Sequence, residues 1–332
     1  MEQPFKGLFM KSRFSLQRLS FVGGIAGLVA TGFNAAEGLH WFPSLFHHFS
    51  LQAGLLLVIA SITVLWQKKW QWAAVFLCCS LFNLSKIIDF HQPNPVVQPG
   101  PKAYKMVTIN IQFNNHDHDR TLRYVKSQNA DFLLLVEASS KWRKSLKPLD
   151  ALYPHSLLAD GGKHYDMMFY SKYPFHSRTV FFSPINKDPT FIASLLLDGK
   201  EVFISGVHIR APFGKMAEEA KSALAHIAAR PEFKERYSII AGDFNATPWA
   251  GYFQDFKEKT GLFNAANGRH LIYTWPSILP FLGIPIDHVL HSPGIAINHF
   301  EKGPSVGSDH FPLVVDFSLS PEPPEKHARH SQ

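Results

Sequence analysis

Ser238-Ile239-Ile240-Ala241-Gly242-Asp243-Phe244-Asn245-Ala246-Thr247-Pro248 is the stretch on which the reading of this chain turns. A short apolar run ends in a glycine, a carboxylate, an amide two positions on, and a proline that stops it. On an extended segment Asp243 and Asn245 face the same side. A carboxylate beside an amide suits a hard metal ion and a phosphate oxygen together. Gly-Asp, Asn and Pro equally favour a plain β-turn, so this stretch alone leaves both readings open.

The same arrangement recurs along the chain. Asn110 sits at the end of Met106-Val107-Thr108-Ile109, Glu137 follows Phe132-Leu133-Leu134-Leu135-Val136, and His208 closes Val202-Phe203-Ile204-Ser205-Gly206-Val207. Asp287 opens Ile286-Asp287-His288-Val289, and Asp309 and His310 stand in Gly307-Ser308-Asp309-His310-Phe311-Pro312 before another apolar run. A carboxylate straight after four apolar residues is costly to bury unpaired, and ligand sites of α/β sheets gather at strand ends. Several such residues meeting at one rim would share a cation. An imidazole beside a carboxylate, with an ordinary pKa of about 6.5, suits proton transfer or charge stabilisation. Taken singly, Ser308-Asp309 also reads as a turn or helix cap, and Asp287 as a charged strand edge.

Short β-rich runs are expected at 105–111, 132–136, 167–170, 191–197, 201–208, 238–241, 288–290 and 313–317. Helices are expected at 120–127 and 216–229, the latter rich in Ala, Glu, Lys and Leu. This order predicts an α/β domain over 102–320.

In that order, Asn110, Val136-Glu137, Phe169-Tyr170-Ser171-Lys172-Tyr173-Pro174, Val207-His208, Gly242-Asp243-Phe244-Asn245, Ile286-Asp287 and Ser308-Asp309-His310 resemble the endonuclease/exonuclease/phosphatase superfamily. That group spans nucleases, sphingomyelinases and inositol-polyphosphate phosphatases. The resemblance covers about 102–319 and is to compact bacterial members with an N-terminal membrane region. It implies a four-layer α/β sandwich, two packed mixed sheets flanked by helices. It implies a hydrolase acting on phosphate esters with Mg²⁺ or Mn²⁺ held by Glu137, with Asn110 and Asp309 near the metal or phosphate. Asp243 would orient or deprotonate the attacking water, Asn245 would bind the scissile phosphate, and His310 would contact it, held by Asp287. His208 would be a second imidazole there, as in the deoxyribonuclease and sphingomyelinase branches rather than that of exonuclease III. Arg210, two residues past His208, is a candidate phosphate clamp or an ordinary surface arginine.

The first 91 residues read differently. Apolar stretches at 19–33, 51–66 and 70–90, flanked by Trp41, Trp66, Trp70 and Trp72, predict about three membrane helices. Two spans, a buried helical hairpin or a signal peptide are the alternatives. Gly23 and Gly27 have the spacing of a close helix contact. Lys6, Lys11, Arg13, Arg18, Lys68 and Lys69 place the N-terminus and the 68–69 turn in the cytoplasm. Three spans in a bacterial inner membrane then put the rest of the chain outside the cytoplasm, and two put it inside. Residues 92–101 carry four prolines and read as an extended linker. The tail, 321–332, reads as disordered. The adjacent Cys78 and Cys79 are the only cysteines, so no disulfide framework exists.

Charge narrows the partners. The chain has 332 residues and a net charge of +7. Residues 1–100 hold seven Lys/Arg against three acids, while the rest holds 26 against 23. A sequence-independent grip on DNA needs several basic side chains on phosphates, and the balanced C-terminal part advertises none. A membrane region favours a lipid-linked phosphoester and contact with the bilayer. A membrane-tethered nuclease and an inactive scaffold are the alternatives, and no segment points to an obligate protein partner. The apolar loop 276–285 is read first as a core-packing connection and second as a lipid-facing lip.

Overall fold

Phe132–Val136 is buried on both faces, and that property sets the architecture. The computed structural model describes residues 4–36, 39–162 and 164–321. The chain divides into two compact units, Met1–Asp89 with Trp249–Gly251 and Phe90–Pro248 with Tyr252–Gln332.

The second unit holds two six-stranded sheets. One is built from β1 (Ala103–Asn110), β2 (Phe132–Val136), β3 (His155–Ala159), β4 (Met167–Ser171), β11 (Ile295–Lys302) and β12 (Leu313–Leu319), in the order β11-β12-β1-β2-β4-β3. The other is built from β5 (Phe175–Phe182), β6 (Pro189–Leu197), β7 (Lys200–His208), β8 (Ser238–Asp243), β9 (Phe263–Asn264) and β10 (Asp287–His291), in the order β5-β6-β7-β8-β10-β9. Each sheet is mixed: β1–β2 and β7–β8 are parallel, and the other pairs are antiparallel.

Side chains alternate along a strand, and here the two phases fill two cores. Phe132, Leu134 and Val136 join Met106, Val202, Ile204, Ile239, Ala241, Val289, Phe191 and Phe317 in a core lined by both sheets. Leu133 and Leu135 join Val107, Ile109, Val125 and Trp142 in a core covered by helices α6 (His118–Gln128) and α7 (Ser140–Ser145). Helix α8 (Met216–Ala228) buries Ala217, Ala220, Ala223, Leu224 and Ile227, one stripe of helical period. Helix α9 (Gly251–Thr260) buries Phe253 and Phe256. The expected sandwich of two mixed sheets flanked by helices is present.

Every expected strand and helix is present, most of them one to two residues longer. Strands β3, β5, β9 and β11 and helices α7 and α9 were not foreseen. β5 is largely exposed, and the register of β11 shifts between Ile297 and His299, so neither presents a clean alternation. The loop 276–285 departs from its first reading. Its tip lies outside the core, with Ile278 and Phe281 79% and 76% exposed. Only Gly283, Ile284 and Pro285 at its return end are buried.

The Pro-rich segment is extended but not free. Asn94 Nδ2 donates to Asn264 O at 2.7 Å, and Gly100 N–H donates to Ser318 Oγ at 3.0 Å. Residues 322–332, most of the expected disordered tail, lie outside the described residues.

The first unit is helical: α1 (Pro4–Ala35), α2 (Trp41–His47), α3 (Ser50–Trp66), α4 (Trp70–Ser85) and α5 (Ile88–His91), the last crossing the unit boundary. Gly24 faces the Phe76 ring and Gly27 faces Leu57, so close that a Cβ at either would collide. The interhelical approach therefore uses Gly24 with Gly27, whereas Gly23 only grazes Leu56. Asn34 Nδ2 donates to Ser50 Oγ and Asn83 Oδ1 at 2.9 and 2.8 Å, and Asn83 Nδ2 donates to Thr31 Oγ1 at 2.7 Å. The polar residues that interrupt the apolar stretches thus satisfy one another. Among the described residues no single helix is long and apolar enough to cross a membrane. Helices α2 and α3 pass that test together but are bent by 65°, and α4 is a shorter apolar helix.

Candidate active site

The phase of the inter-sheet core decides which strand-end residues meet. On β1 the phase of Met106 continues to Asn110, and on β7 that of Ile204 continues to His208. On β8 the phase of Ala241 continues to Asp243, and on β10 that of Val289 leads back to Asp287. All four point into the gap between the sheets where the apolar filling ends. Asp243 lies on a central strand, paired in register with His208 on one side and Asp287 on the other.

Glu137 breaks the alternation. Following Val136, it would turn toward the helix-covered face, but its φ of +63° reverses the chain there. A non-glycine residue in that region is strained, and here the strain brings the carboxylate to the site. Glu137 Oε1 accepts from Asn110 Nδ2 at 3.0 Å, and Oε2 accepts from Phe113 N–H at 2.9 Å. The same Asn110 amide donates to Asp243 Oδ2 at 3.0 Å. One amide thereby bridges two carboxylates, and its own Oδ1 takes Gln112 N–H at 3.0 Å.

Gly242 has φ +132° and lies against Val207 O, where no side chain fits. Asn245 has φ +46°, so the segment is not extended past Asp243. Instead Asp243 Oδ1 accepts Asn245 N–H at 2.8 Å, an Asx-type turn, and Asn245 Nδ2 donates to Ile209 O at 2.8 Å. The turn and the site coincide.

His310 completes the cluster. Its Nδ1 bonds Asp287 Oδ2 at 2.8 Å, leaving Nε2 3.8 Å from Asp243 Oδ2. His208 Nε2 lies 3.7 Å from Glu137 Oε1 and 3.9 Å from Asp243 Oδ2. His208 Nδ1 is buried without a partner, and the ring packs at a tilt against Tyr165, centroids 5.0 Å apart. Burial and the Asp287 charge push the Asp243 carboxyl up to about 8. Burial alone would lower His310, but Asp287 and Asp243 outweigh it and hold the imidazole up at about 10. Burial lowers His208 against the pull of Glu137. The arrangement thus pairs a charged imidazole with a carboxyl group that does not ionise readily.

Two expected residues sit at one remove. Asp309 Oδ2 accepts from Trp275 Nε1 at 3.2 Å, and its N–H reaches Gln112 Oε1 at 3.3 Å, so it joins Asn110 through Gln112. Arg210 is taken up elsewhere: Nε and Nη2 grip Asp188 at 2.6 and 2.8 Å, and Nη1 reaches Glu219 at 3.2 Å. Its guanidinium also stacks on Tyr165 at 4.8 Å. With its fork engaged, the geometry makes Arg210 a brace rather than a clamp.

Sequence reasoning missed the supporting residues. Thr274 Oγ1 accepts from Asp287 N–H at 3.1 Å, and Ser308 Oγ donates to Asn110 O at 2.7 Å. His288 Nε2 bonds Ala246 O at 2.7 Å, behind the Asp243–Asn245 turn. His288 had a signal, an imidazole inside an apolar strand, whereas Thr274 had none.

The residues present fit a divalent cation. Asp243, Asp287 and His310 offer atoms within 4.8 Å of one another, but the last two are spent on each other. Glu137 with Asn110, beside Asp243, is the better-placed set. Its two carboxylates are hard oxygen donors, joined only by the Asn110 amide, and His208 Nε2 faces them at 3.7 and 3.9 Å.

Residues 107–310 match the profile of the endonuclease/exonuclease/phosphatase family. No curated protein matches the chain. Among solved structures, a humanized TDP2 of D. rerio has a TM-score of 0.55 at 15% identity, covering 65% of this chain and 99% of that one. An endonuclease/exonuclease/phosphatase from Beutenbergia cavernae gives 0.56 at 16% identity, covering 66% and 72%. Sphingomyelinase C from Streptomyces griseocarneus gives 0.51 at 14% identity, covering 65% and 99%. At such identities these likenesses speak for the fold, two packed mixed sheets flanked by helices. The matched profile spans more than half the chain and contains every strand-end residue that converges on Asp243, so the protein belongs to the endonuclease/exonuclease/phosphatase family.

Proposed function

We propose that this chain is a Mg²⁺- or Mn²⁺-dependent phosphoesterase that hydrolyses a phosphodiester or phosphomonoester by in-line attack of water. The observation that carries the reading is the convergence of Glu137, Asn110, His208, Asp243 and the Asp287–His310 pair at one end of the inter-sheet core. Glu137 would hold the cation, its carboxylate fixed by Asn110 Nδ2. Bound there, it would neutralise charge on the non-bridging phosphate oxygens.

The remaining chemistry belongs to the protein. Asp243 is fixed through both oxygens, by Asn245 N–H and Asn110 Nδ2, and in its ionised form, which a cation held beside it would favour, is oriented to take a proton from the attacking water. His310 keeps its Nδ1–H on Asp287 and presents Nε2–H to a phosphate oxygen. Its charge is preorganised, so no reorientation is needed as charge develops in the transition state. His208, kept neutral by burial, offers a second imidazole contact. Asn245 holds the turn that carries Asp243, its own Nδ2 donating to Ile209 O.

We further propose that the helical unit associates with a bilayer and that the substrate is lipid-linked. Exposed apolar side chains on α1, α3 and α4, among them Leu19, Ile59, Trp66 and Leu81, support this reading. In a bacterial inner membrane the count of crossings sets the side of the second unit, and three put it outside the cytoplasm.

The test uses the full-length chain with chelator, Mg²⁺ or Mn²⁺, on phospholipid and sphingolipid vesicles and on plasmid DNA. Lipid phosphoester hydrolysis, lost on chelation and in Asp243→Ala, is expected. DNA cleavage alone, weakening steeply with salt, would make it a tethered nuclease. Folded protein silent on every phosphoester would leave a scaffold.

A further inference from the structure

Residues 276–283 form a closed loop at the rim of the site. Its base is clamped by backbone bonds from Ile284 N–H to Trp275 O at 2.7 Å and from Trp275 N–H to Ile284 O at 3.2 Å. Its tip is a single 3₁₀ turn, Pro280–Leu282. One side is riveted to the catalytic segment. Ser277 N–H donates to Asp309 O at 2.8 Å, and Ser277 Oγ donates to Ser308 O at 2.7 Å. Phe311 N–H reaches Thr274 O at 2.8 Å. An ordered loop two bonds from His310 nevertheless turns Ile278, Leu279, Phe281 and Leu282 outward, 79%, 42%, 76% and 44% exposed. Residues 276–286 carry no charge. Single exposed apolar residues are unremarkable, but four adjacent ones on a rigid loop mark a contact surface.

We propose that this loop is a lip that enters the apolar layer of a lipid bilayer, setting the catalytic opening at the membrane surface. The collar below it fits that occupant. Lys302 Nζ lies over Tyr273 and Phe311 at 3.8 and 4.2 Å from the ring centroids. An apolar tip above aromatics and a lysine has the polarity order of a membrane interface, where such side chains sit at headgroup level. A protein partner fits less well. A stable protein interface draws on about 800 Å² and 20–30 residues a side, and the lip offers four apolar side chains. Shallow insertion of about 5–10 Å needs no more than such a tip. This inference goes beyond the hydrolytic reading and stands apart from it, since docking requires no turnover.

The experiment labels the full-length chain, with Cys78→Ser and Cys79→Ser, at Ile278→Cys or Phe281→Cys with an environment-sensitive fluorophore. Leu196→Cys, exposed on the far part of the second sheet, is the control. Each protein is mixed with phosphatidylcholine–phosphatidylglycerol vesicles carrying brominated acyl chains, and its fold is checked by its melting transition. The expected result is a blue shift and at least twofold quenching at 278 and 281, with no change at 196. Equal signals at all three positions would overturn the proposal, because the helical unit alone would then bring the protein near lipid. No quenching at 278 and 281 in folded protein overturns it too. A spectral change that grows with protein concentration without vesicles also overturns it, in favour of a second copy as occupant.

Discussion

Replacing Asp287 by asparagine separates charge from geometry at His310. Asparagine keeps an oxygen that can accept from Nδ1 at about the same place, and it removes the carboxylate that opposes the cost of burial. In the wild type His310 is held at about 10 rather than 6.5. That difference of about 3.5 pH units is worth on the order of 5 kcal/mol of preference for the charged imidazole. It is supplied by Asp287 at 2.8 Å and Asp243 at 3.8 Å. Because the folded value is raised, the stabilisation is fully present below about pH 6.5 and is lost as pH rises through about 10. The variant should therefore be most destabilised near pH 6 and approach the wild type above pH 10. Activity follows the same logic. Asp243 is pushed up partly by Asp287, so both the acidic and the alkaline limb of kcat/KM should move to lower pH in the variant. On bis(p-nitrophenyl) phosphate with saturating Mn²⁺, a loss of roughly 10²–10³-fold at pH 9 and a much smaller loss at pH 6 are expected. A bound cation lowers the Asp243 limb further without changing the sign of the shift. A profile that drops by the same factor at every pH, with unmoved limbs, refutes the reasoning and makes Asp287 a positioning group only.

Glu137→Gln should weaken Mn²⁺ binding by at least about 10-fold while leaving the melting temperature within a few degrees. Titration calorimetry checks it, and an unchanged affinity would move the cation away from this carboxylate. His288 and His291 are buried and pushed down to about 4. Their folded values are depressed below about 6.5, so each stabilises fully above that pH and loses up to ~3 kcal/mol as pH falls toward 4. Urea midpoints should drop over that window, and less so in His288→Phe; a pH-independent midpoint contradicts the burial of neutral imidazoles. Arg210→Lys breaks a bidentate fork on buried Asp188 and should cost ~1–3 kcal/mol of stability with KM unchanged. A raised KM in stable protein would restore the clamp role expected from sequence.

What could be read from sequence was the phase of the strands. Asn110, His208 and Asp243 each end an apolar run, Asp287 opens one, and the period of two carries all four to one face without further information. Where the chain leaves that period, reading failed. Glu137 and Asn245 were placed correctly in sequence, but their left-handed backbone and the turn they close were not visible. The role of Arg210 stayed open between clamp and ordinary arginine because its partners Asp188 and Glu219 come from a loop and from α8, brought together only by tertiary packing. The loop 276–285 kept two readings because apolar composition is the same for a core connection and an exposed tip. Only the absence of a facing sheet or helix distinguishes them.

Strained positions lie at the candidate site. The inter-sheet core ends in Asn110, His208, Asp243 and Asp287 instead of further apolar side chains, and three of these are ionisable and buried. Burying such groups costs stability that apolar residues would not, and the hydrogen bonds among them only partly offset it, since His208 Nδ1 has no partner. The left-handed Glu137 adds strain at the same place. Packing alone explains none of these choices. Together they hold a charged His310 beside an Asp243 that resists ionisation, and an anionic phosphate with its cation is the ligand that would satisfy both.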